Sequence, residues 1–390
     1  MQYNCVNNQN LENYVINMNV IRRFVAGSIC FLVILNLTLC LSSCRSTKKT
    51  VSWFDSDGSL ITTEEVSADY DPSERELPDD SDEWHYTGWT VTESGNVTVC
   101  TANRAAKTNL VWKDYDGNVL FEDFITDEEE EPEYDLPEDT DKWRYTEWDK
   151  IKEDGTYVYT AEREPNGDYF VGNVFQIVIK DKSGELIGSG SGFVINHDGW
   201  FVTNNHVMEK GYTATAFFDI KDTLEGGKYT QLKILGGVYN SEEKDIFIGK
   251  LDGYRRLAEH YKEISFTEDY SQGEECYSVG YPNSSVEMDI NPGTVTEEYS
   301  DLYSKVSGIY YILSDSYIAP GSSGGVLVNS DFEVIGITSI GFYSDEEKQD
   351  YTSGGSIPYS VFKSKLKDLD EKKLRSISEI YKNQTLEDKE

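Results

Sequence analysis

A mainly β chain made of several small units is predicted by three observations. Short runs rich in Tyr, Trp, Phe, Val, Ile and Thr recur along the sequence, which favours pleated strands over long helices. Asp-Gly pairs at Asp57-Gly58, Asp116-Gly117 and Asp198-Gly199 are hairpin turn signals. One block of sequence is repeated, so at least two of the units are copies.

The 390 residues suffice for two to four domains, and a hydrophobic share of 38% allows packed cores. The formal charge of −36 repels phosphate backbones, which disfavours nucleic-acid binding as a role. Acid is densest over Asp127 to Asp135, which reads as a solvated loop. Of the six cysteines, Cys5, Cys30, Cys40 and Cys44 lie near the start, leaving Cys100 and Cys276. Two isolated cysteines make neither a disulfide framework nor a zinc site, so both are expected to be small buried residues in strands. No residue cluster calls for a metal or a cofactor.

Arg22 and Arg23 precede an apolar run at 24–41, the pattern of a secretory signal. The run ends in Leu41-Ser42-Ser43-Cys44, which resembles a bacterial lipobox. The resemblance implies cleavage before Cys44, lipidation of that cysteine, and tethering to the outer face of a bacterial membrane. A start at Met18 would give a signal of ordinary length within the 1–44 leader. An uncleaved membrane helix is the competing reading, and it also puts the rest of the chain outside the cytoplasm.

Residues 51–105 and 110–164 match at a constant offset of 59, as from Trp53 to Trp112. Leu77-Pro78 aligns with Leu136-Pro137, and Trp84-His-Tyr86-Thr87-Gly-Trp89 aligns with Trp143-Arg-Tyr145-Thr146-Glu-Trp148. Each unit predicts a hairpin, an acidic loop, an aromatic strand and a closing strand. The pattern resembles the β-grasp-like repeats of bacterial surface proteins, with Gly88-Trp89 keeping their Gly-Trp pair and Glu147-Trp148 departing from it. The matched aromatic residues are expected to fill small cores. Asp55-x-Asp57-Gly58 lacks the downstream acid of a calcium loop, so a plain turn is expected. A spacer or binding role follows for both repeats.

From residue 168 the chain changes to short strands with Gly-rich turns. Gly188 to Ile195, an Asp198-Gly199 turn and Trp200 to Thr203 form a predicted hairpin that delivers Asn204-Asn205-His206-Val207. His85 belongs to a repeat, His197 to a turn and His260 to a polar segment; His206 alone follows a strand ending in Thr203-Asn204-Asn205, where a structural and a chemical role are both open. Asp245 opens an apolar strand, Ile246 to Leu251. The segment Ala319-Pro320-Gly321-Ser322-Ser323-Gly324-Gly325-Val326 surrounds two serines with glycines, which lets backbone N–H groups converge on one cavity.

These three segments, in the order His, Asp, Ser, resemble the trypsin-like serine proteases of the HtrA (Deg) type over residues 168–365. The resemblance implies a chymotrypsin-like double β-barrel. It also implies a catalytic triad of His206, Asp245 and Ser323, with an oxyanion hole from the amides of Gly321 and Ser323. Thr338, Ser339 and Ile340 would pair with the substrate backbone. Tyr317 would lie near the base of the specificity pocket, where the lack of an acid suggests an apolar first-subsite residue. The chain has Gly321-Ser322-Ser323-Gly324-Gly325-Val326 where the family usually reads Gly-Asn-Ser-Gly-Gly-Pro. Residues 366–390 are expected to be a charged helical tail, with no PDZ domain. The implied partners are a protein or peptide substrate and, through lipid, a membrane. Members of the family are often trimeric, though no residue pattern here requires an oligomer. The implied function is a surface-tethered serine endopeptidase, with a sensor that cuts one partner as a variant of that reading. The alternative is a catalytically silent protease fold that serves binding or adhesion.

Overall fold

The structure is a computed structural model describing residues 48–126, 130–209, 211–222, 228–297, 308–345 and 350–382. The apolar run, Met18, Cys44 and the acids at 127–129 lie outside the described residues. The chain is mainly β, with two four-stranded sheets followed by two closed six-stranded barrels. Its described residues group into two compact units, those within Met1–Pro137 with Thr146–Glu162 and those within Glu138–Tyr145 with Arg163–Glu390.

The first sheet contains β1 (Lys48–Phe54), β2 (Leu60–Ser67), β3 (Trp84–Ser94) and β4 (Val97–Ala106), in the order β2-β1-β4-β3. The central pair, β1 and β4, is parallel. The second sheet repeats this order with β5 (Thr108–Lys113), β6 (Val119–Ile125), β7 (Trp143–Glu153) and β8 (Thr156–Pro165). The same local bonds recur at the repeat offset. Gly58 and Gly117 donate to the carbonyls of Asp55 and Asp114, closing the two predicted turns. The indole of Trp89 donates to the Arg75 carbonyl at 2.9 Å, and that of Trp148 to the Tyr134 carbonyl at 3.0 Å. Between β2 and β3 the described chain holds only a 3-10 turn, Pro72–Glu74.

Each small core is aromatic. Trp53 packs with Val51 and Cys100, and Trp112 with Leu110 and Tyr159. Cys100 and Cys276 are both fully buried and unpaired, and burial pushes their thiols up to about 11, which makes them inert. Glu131, in the acidic stretch, is not merely solvated: its carboxylate accepts from Lys150 and from the Tyr159 hydroxyl at 2.6 Å.

The first barrel comprises β9 (Val174–Lys180), β10 (Leu186–Val194), β11 (Trp200–Thr203), β12 (Thr213–Asp222), β13 (Lys228–Ser241) and β14 (Ile246–Leu251). The second comprises β15 (Glu275–Gly280), β16 (Asp289–Glu297), β17 (Ile312–Ser314), β18 (Val326–Asn329), β19 (Val334–Asp345) and β20 (Asp350–Pro358). One hydrophobic cluster fills the first barrel around Phe175, Phe201, Phe218 and Phe247. Another joins first-barrel residues such as Val202 and Ile248 to second-barrel residues such as Val279 and Ile337, so the barrels share a packed seam. Trp143 enters that second cluster beside Tyr277 and Phe332.

The expected helical tail is corrected in part. Residues 365–380 form two 3-10 turns and one helical turn, Ile377–Ile380, with no long helix among the described residues. A helix this short cannot stand alone, and it is held by burial of Ile377 and Tyr381 in the first-barrel core.

Trp53→Ala should destabilise the first repeat by about 3–5 kcal/mol, because a large buried ring leaves a cavity in a small core. Limited proteolysis should then clip residues 48–106 faster than in the wild type, while cleavage within the barrels stays unchanged. Equal cleavage of the repeat in both proteins would show that Trp53 does not organise it.

Candidate active site

The β10–β11 hairpin ends at Asn204, where the backbone leaves strand geometry for one helical turn, α1 (Asn205–Met208). His206 is the second residue of α1, and its side chain is 45% exposed. Asp245 lies just before β14, whose six residues are all buried. Its φ of 52° is left-handed, a conformation that Asp tolerates better than most residues. The Asn204 side chain clamps this backbone by donating to the Asp245 carbonyl at 3.0 Å.

The Asp245 carboxylate accepts three hydrogen bonds. The His206 amide donates to Oδ1 at 2.9 Å, His206 Nδ1 lies 2.8 Å from Oδ2, and the Ser339 hydroxyl donates to Oδ2 at 3.0 Å. An ionised carboxylate only accepts, so Nδ1 carries the proton and Nε2 presents its lone pair. Burial lowers the His206 pKa, but the Asp245 hydrogen bond and charge outweigh it, and the net shift is upward from 6.5.

Ser323 sits in a tight loop between β17 and β18. The Ser322 amide donates to the Ala319 carbonyl at 2.9 Å, and the Gly325 amide to the Ser322 carbonyl at 2.9 Å. Gly324 has φ +86°, and a Cβ there would lie 2.0 Å from Thr203 Oγ1 and 2.2 Å from the Ser191 carbonyl oxygen. The loop thus presses against the first barrel too closely for any side chain. Ser191 makes the other side of this contact. Its amide donates to the Ser323 carbonyl and its hydroxyl to the Gly321 carbonyl, both at 2.8 Å. It also accepts from the Tyr281 amide at 2.9 Å. Among the described residues, the amides of Gly321 and Ser323 donate to no protein acceptor.

His206, Gly321 and Ser323 line one cavity of about 590 Å³, together with Val207, Pro320 and Glu209. Asp245 stands behind His206. The Ser323 hydroxyl donates to the Ser339 carbonyl at 3.1 Å, and among the described residues it makes no bond to His206.

Tyr317 is 48% exposed. One expectation is corrected. Thr338 is not open to a substrate backbone, because its carbonyl accepts from Gly324 and its amide donates to Gly325. Ile340 pairs with Gly355 of β20, and Ser339 directs its hydroxyl to Asp245. The roles of Ser339 and Ser191 were not readable from spacing. Glycines inside a strand, as at Gly188, Gly190 and Gly192, are a general signal of close backbone approach that could have pointed to this contact.

Residues 190–337 match the family model described as a trypsin-like peptidase domain. The chain is 32% identical over 157 residues to "Serine protease HTRA1B" of Danio rerio, covering 40% of this chain and 30% of that protein. It is 30% identical over 152 residues to "Probable periplasmic serine endoprotease DegP-like" of Halomonas elongata, covering 38% of this chain and 29% of that protein. The chain thus spans about three-tenths of the length of these relatives. Among solved structures, "HtrA-type protease AlgW with tripeptide" superposes with a TM-score of 0.43 at 20% identity, over 53% of this chain and 64% of that one.

By NMR, His206 should titrate above 6.5, and Asp245→Asn should lower that midpoint, since burial then acts with less opposition. The pair contributes fully below 6.5, and the contribution fades as pH rises through the folded-state pKa. An unmoved midpoint in the variant would show that another group sets the shift. Gly324→Ala should cost more than about 2 kcal/mol in urea unfolding, from a left-handed backbone combined with a collision. Wild-type stability there would mean that the loop can retreat from β10 and β11.

Proposed function

We propose that this chain is a serine endopeptidase of the HtrA type, working through His206, Asp245 and Ser323. The observation that carries this reading is the Asp245 carboxylate bonded to both the amide and Nδ1 of His206, with Ser323 and two unused amides in the same cavity. In the proposed reaction, Ser323 Oγ leaves the Ser339 carbonyl, turns to His206 Nε2 and attacks the scissile carbonyl carbon. His206 takes the hydroxyl proton and later gives it to the leaving amine. Asp245 stays ionised, holding the ring and stabilising the imidazolium. The amides of Gly321 and Ser323 receive the oxyanion, each contributing roughly 3–4 kcal/mol to lowering the barrier. Water then repeats the sequence on the acyl-enzyme.

The setting is part of the proposal. Cys44 after Leu41-Ser42-Ser43 supplies a lipid-modified first residue on the outer face of the membrane, and the two sheets act as a spacer for the barrels. Detergent phase partitioning of the expressed protein would test this. Wild type should enter the detergent phase and Cys44→Ala the aqueous phase. Equal partitioning would remove the lipid anchor from the proposal.

A fluorophosphonate probe should label the wild type and leave Ser323→Ala unlabelled, and the variant should lose about 10⁴-fold or more in kcat/KM on an unfolded protein substrate. Failure to label the wild type would favour the silent, binding-only reading. Because the base must be neutral, kcat/KM should rise with pH through the raised His206 pKa, so half-maximal activity lies above 6.5.

A further inference from the structure

After the second barrel the chain returns to the first. Arg375 and Gly237 exchange backbone hydrogen bonds of 2.9 and 3.0 Å. The crossing is close: a Cβ on Gly236 would lie 1.9 Å from the Arg375 carbonyl oxygen. Ser376 and Glu379 then form a capping box that turns the chain inward. Ile377 and Tyr381, 3% and 2% exposed, enter the first-barrel core. There the Tyr381 hydroxyl donates to Asn205 Oδ1 at 2.8 Å.

Asn205 is 2% exposed and directly precedes His206 in α1. Its carbonyl accepts from the Glu209 amide at 3.0 Å, which closes the turn that carries the imidazole. A carboxamide oxygen this deeply buried needs a donor, or it bears the full cost of desolvation. Burial pushes the Tyr381 phenol well above its ordinary 10.0, so the hydroxyl remains protonated and keeps donating.

We infer that Tyr381 is a positioning residue for catalysis: its hydroxyl fixes Asn205, and through Asn205 it fixes the turn that aims His206. The phenyl ring alone would satisfy the core. The hydroxyl is what reaches the site, so Phe is the informative replacement. The inference rests on His206 being the general base proposed above, and it extends the machinery to a residue far along the chain from the triad.

The test uses the full chain with Tyr381→Phe, Asn205→Leu, the double variant and Ser323→Ala, with active sites counted by fluorophosphonate titration. In Tyr381→Phe, kcat and the phosphonylation rate per titrated site should fall about tenfold while KM stays within about twofold, as misaiming of a base predicts. In the Asn205→Leu background, adding Tyr381→Phe should cause no further fall, because the acceptor is already gone. A wild-type kcat per site in Tyr381→Phe would overturn the inference. So would the same tenfold loss without Asn205, or a loss that disappears once only titratable sites are counted. If the wild type itself shows no more activity or labelling than Ser323→Ala, the endopeptidase reading is what fails, and the inference goes with it.

Discussion

The site depends on one half-buried carboxylate, that of Asp245. Asp245 gathers donors from both barrels: the amide and ring of His206 from the first, and the hydroxyl of Ser339 from the second. Holding it there has a cost. Its backbone is left-handed, a strain of order 1–3 kcal/mol, and its charge is partly withdrawn from water. Three hydrogen bonds to an ionised acceptor offset that cost, since charge-assisted bonds are the strong ones. The same bonds select the histidine tautomer. Geometry and protonation are therefore set by a single group.

That group can bridge two barrels because the barrels are already packed against each other. The seam is lined by large apolar side chains from both, including Val202 and Ile248 on one side and Val279 and Ile337 on the other. Interiors at crystal-like density do not slide. The distance between the histidine turn and the serine loop is thus set by strands and their packing, with loops only finishing the arrangement. Ser191 is the finest part of it, a single hydroxyl joining the Gly321 carbonyl to the Tyr281 amide. The returning C-terminal stretch adds a further brace on the histidine side.

The two repeats show how one pattern takes different surroundings. Arg104 lies 4.2 Å over the ring of Trp84, and Arg163 lies 4.0 Å over the ring of Trp143, the same pair one repeat later. Yet Trp84 is partly exposed, whereas Trp143 is buried beside Tyr277 and Phe332 of the second barrel. The small sheets rely on very few large side chains, which is why Trp53 and Trp112 occupy their centres. The numerous acids stay mostly at the surface, and where they are held it is by local partners, as Glu131 is by Lys150 and Tyr159.

Local chemistry was legible in the chain itself. Asp-Gly turns, aromatic strand runs and the repeat offset determined the strand-rich, multi-unit architecture. The segments around His206 and Ser323 stood out because turns and glycine-flanked serines depend on nearest neighbours, whereas Asp245, an acid opening a strand, was singled out by the family resemblance. What could not be read were contacts between residues far apart along the chain. These are the Ser339 hydroxyl on Asp245, the Ser191 hydroxyl on the Ser323 loop, the use of Thr338 by that loop, the exposure of Tyr317, and the Tyr381 bond to Asn205. Ser, Thr and Tyr carry polar groups that suit surface or interior equally. Only the closing of the barrels, which brings distant strands within hydrogen-bonding distance, decides which of them become partners and which face water.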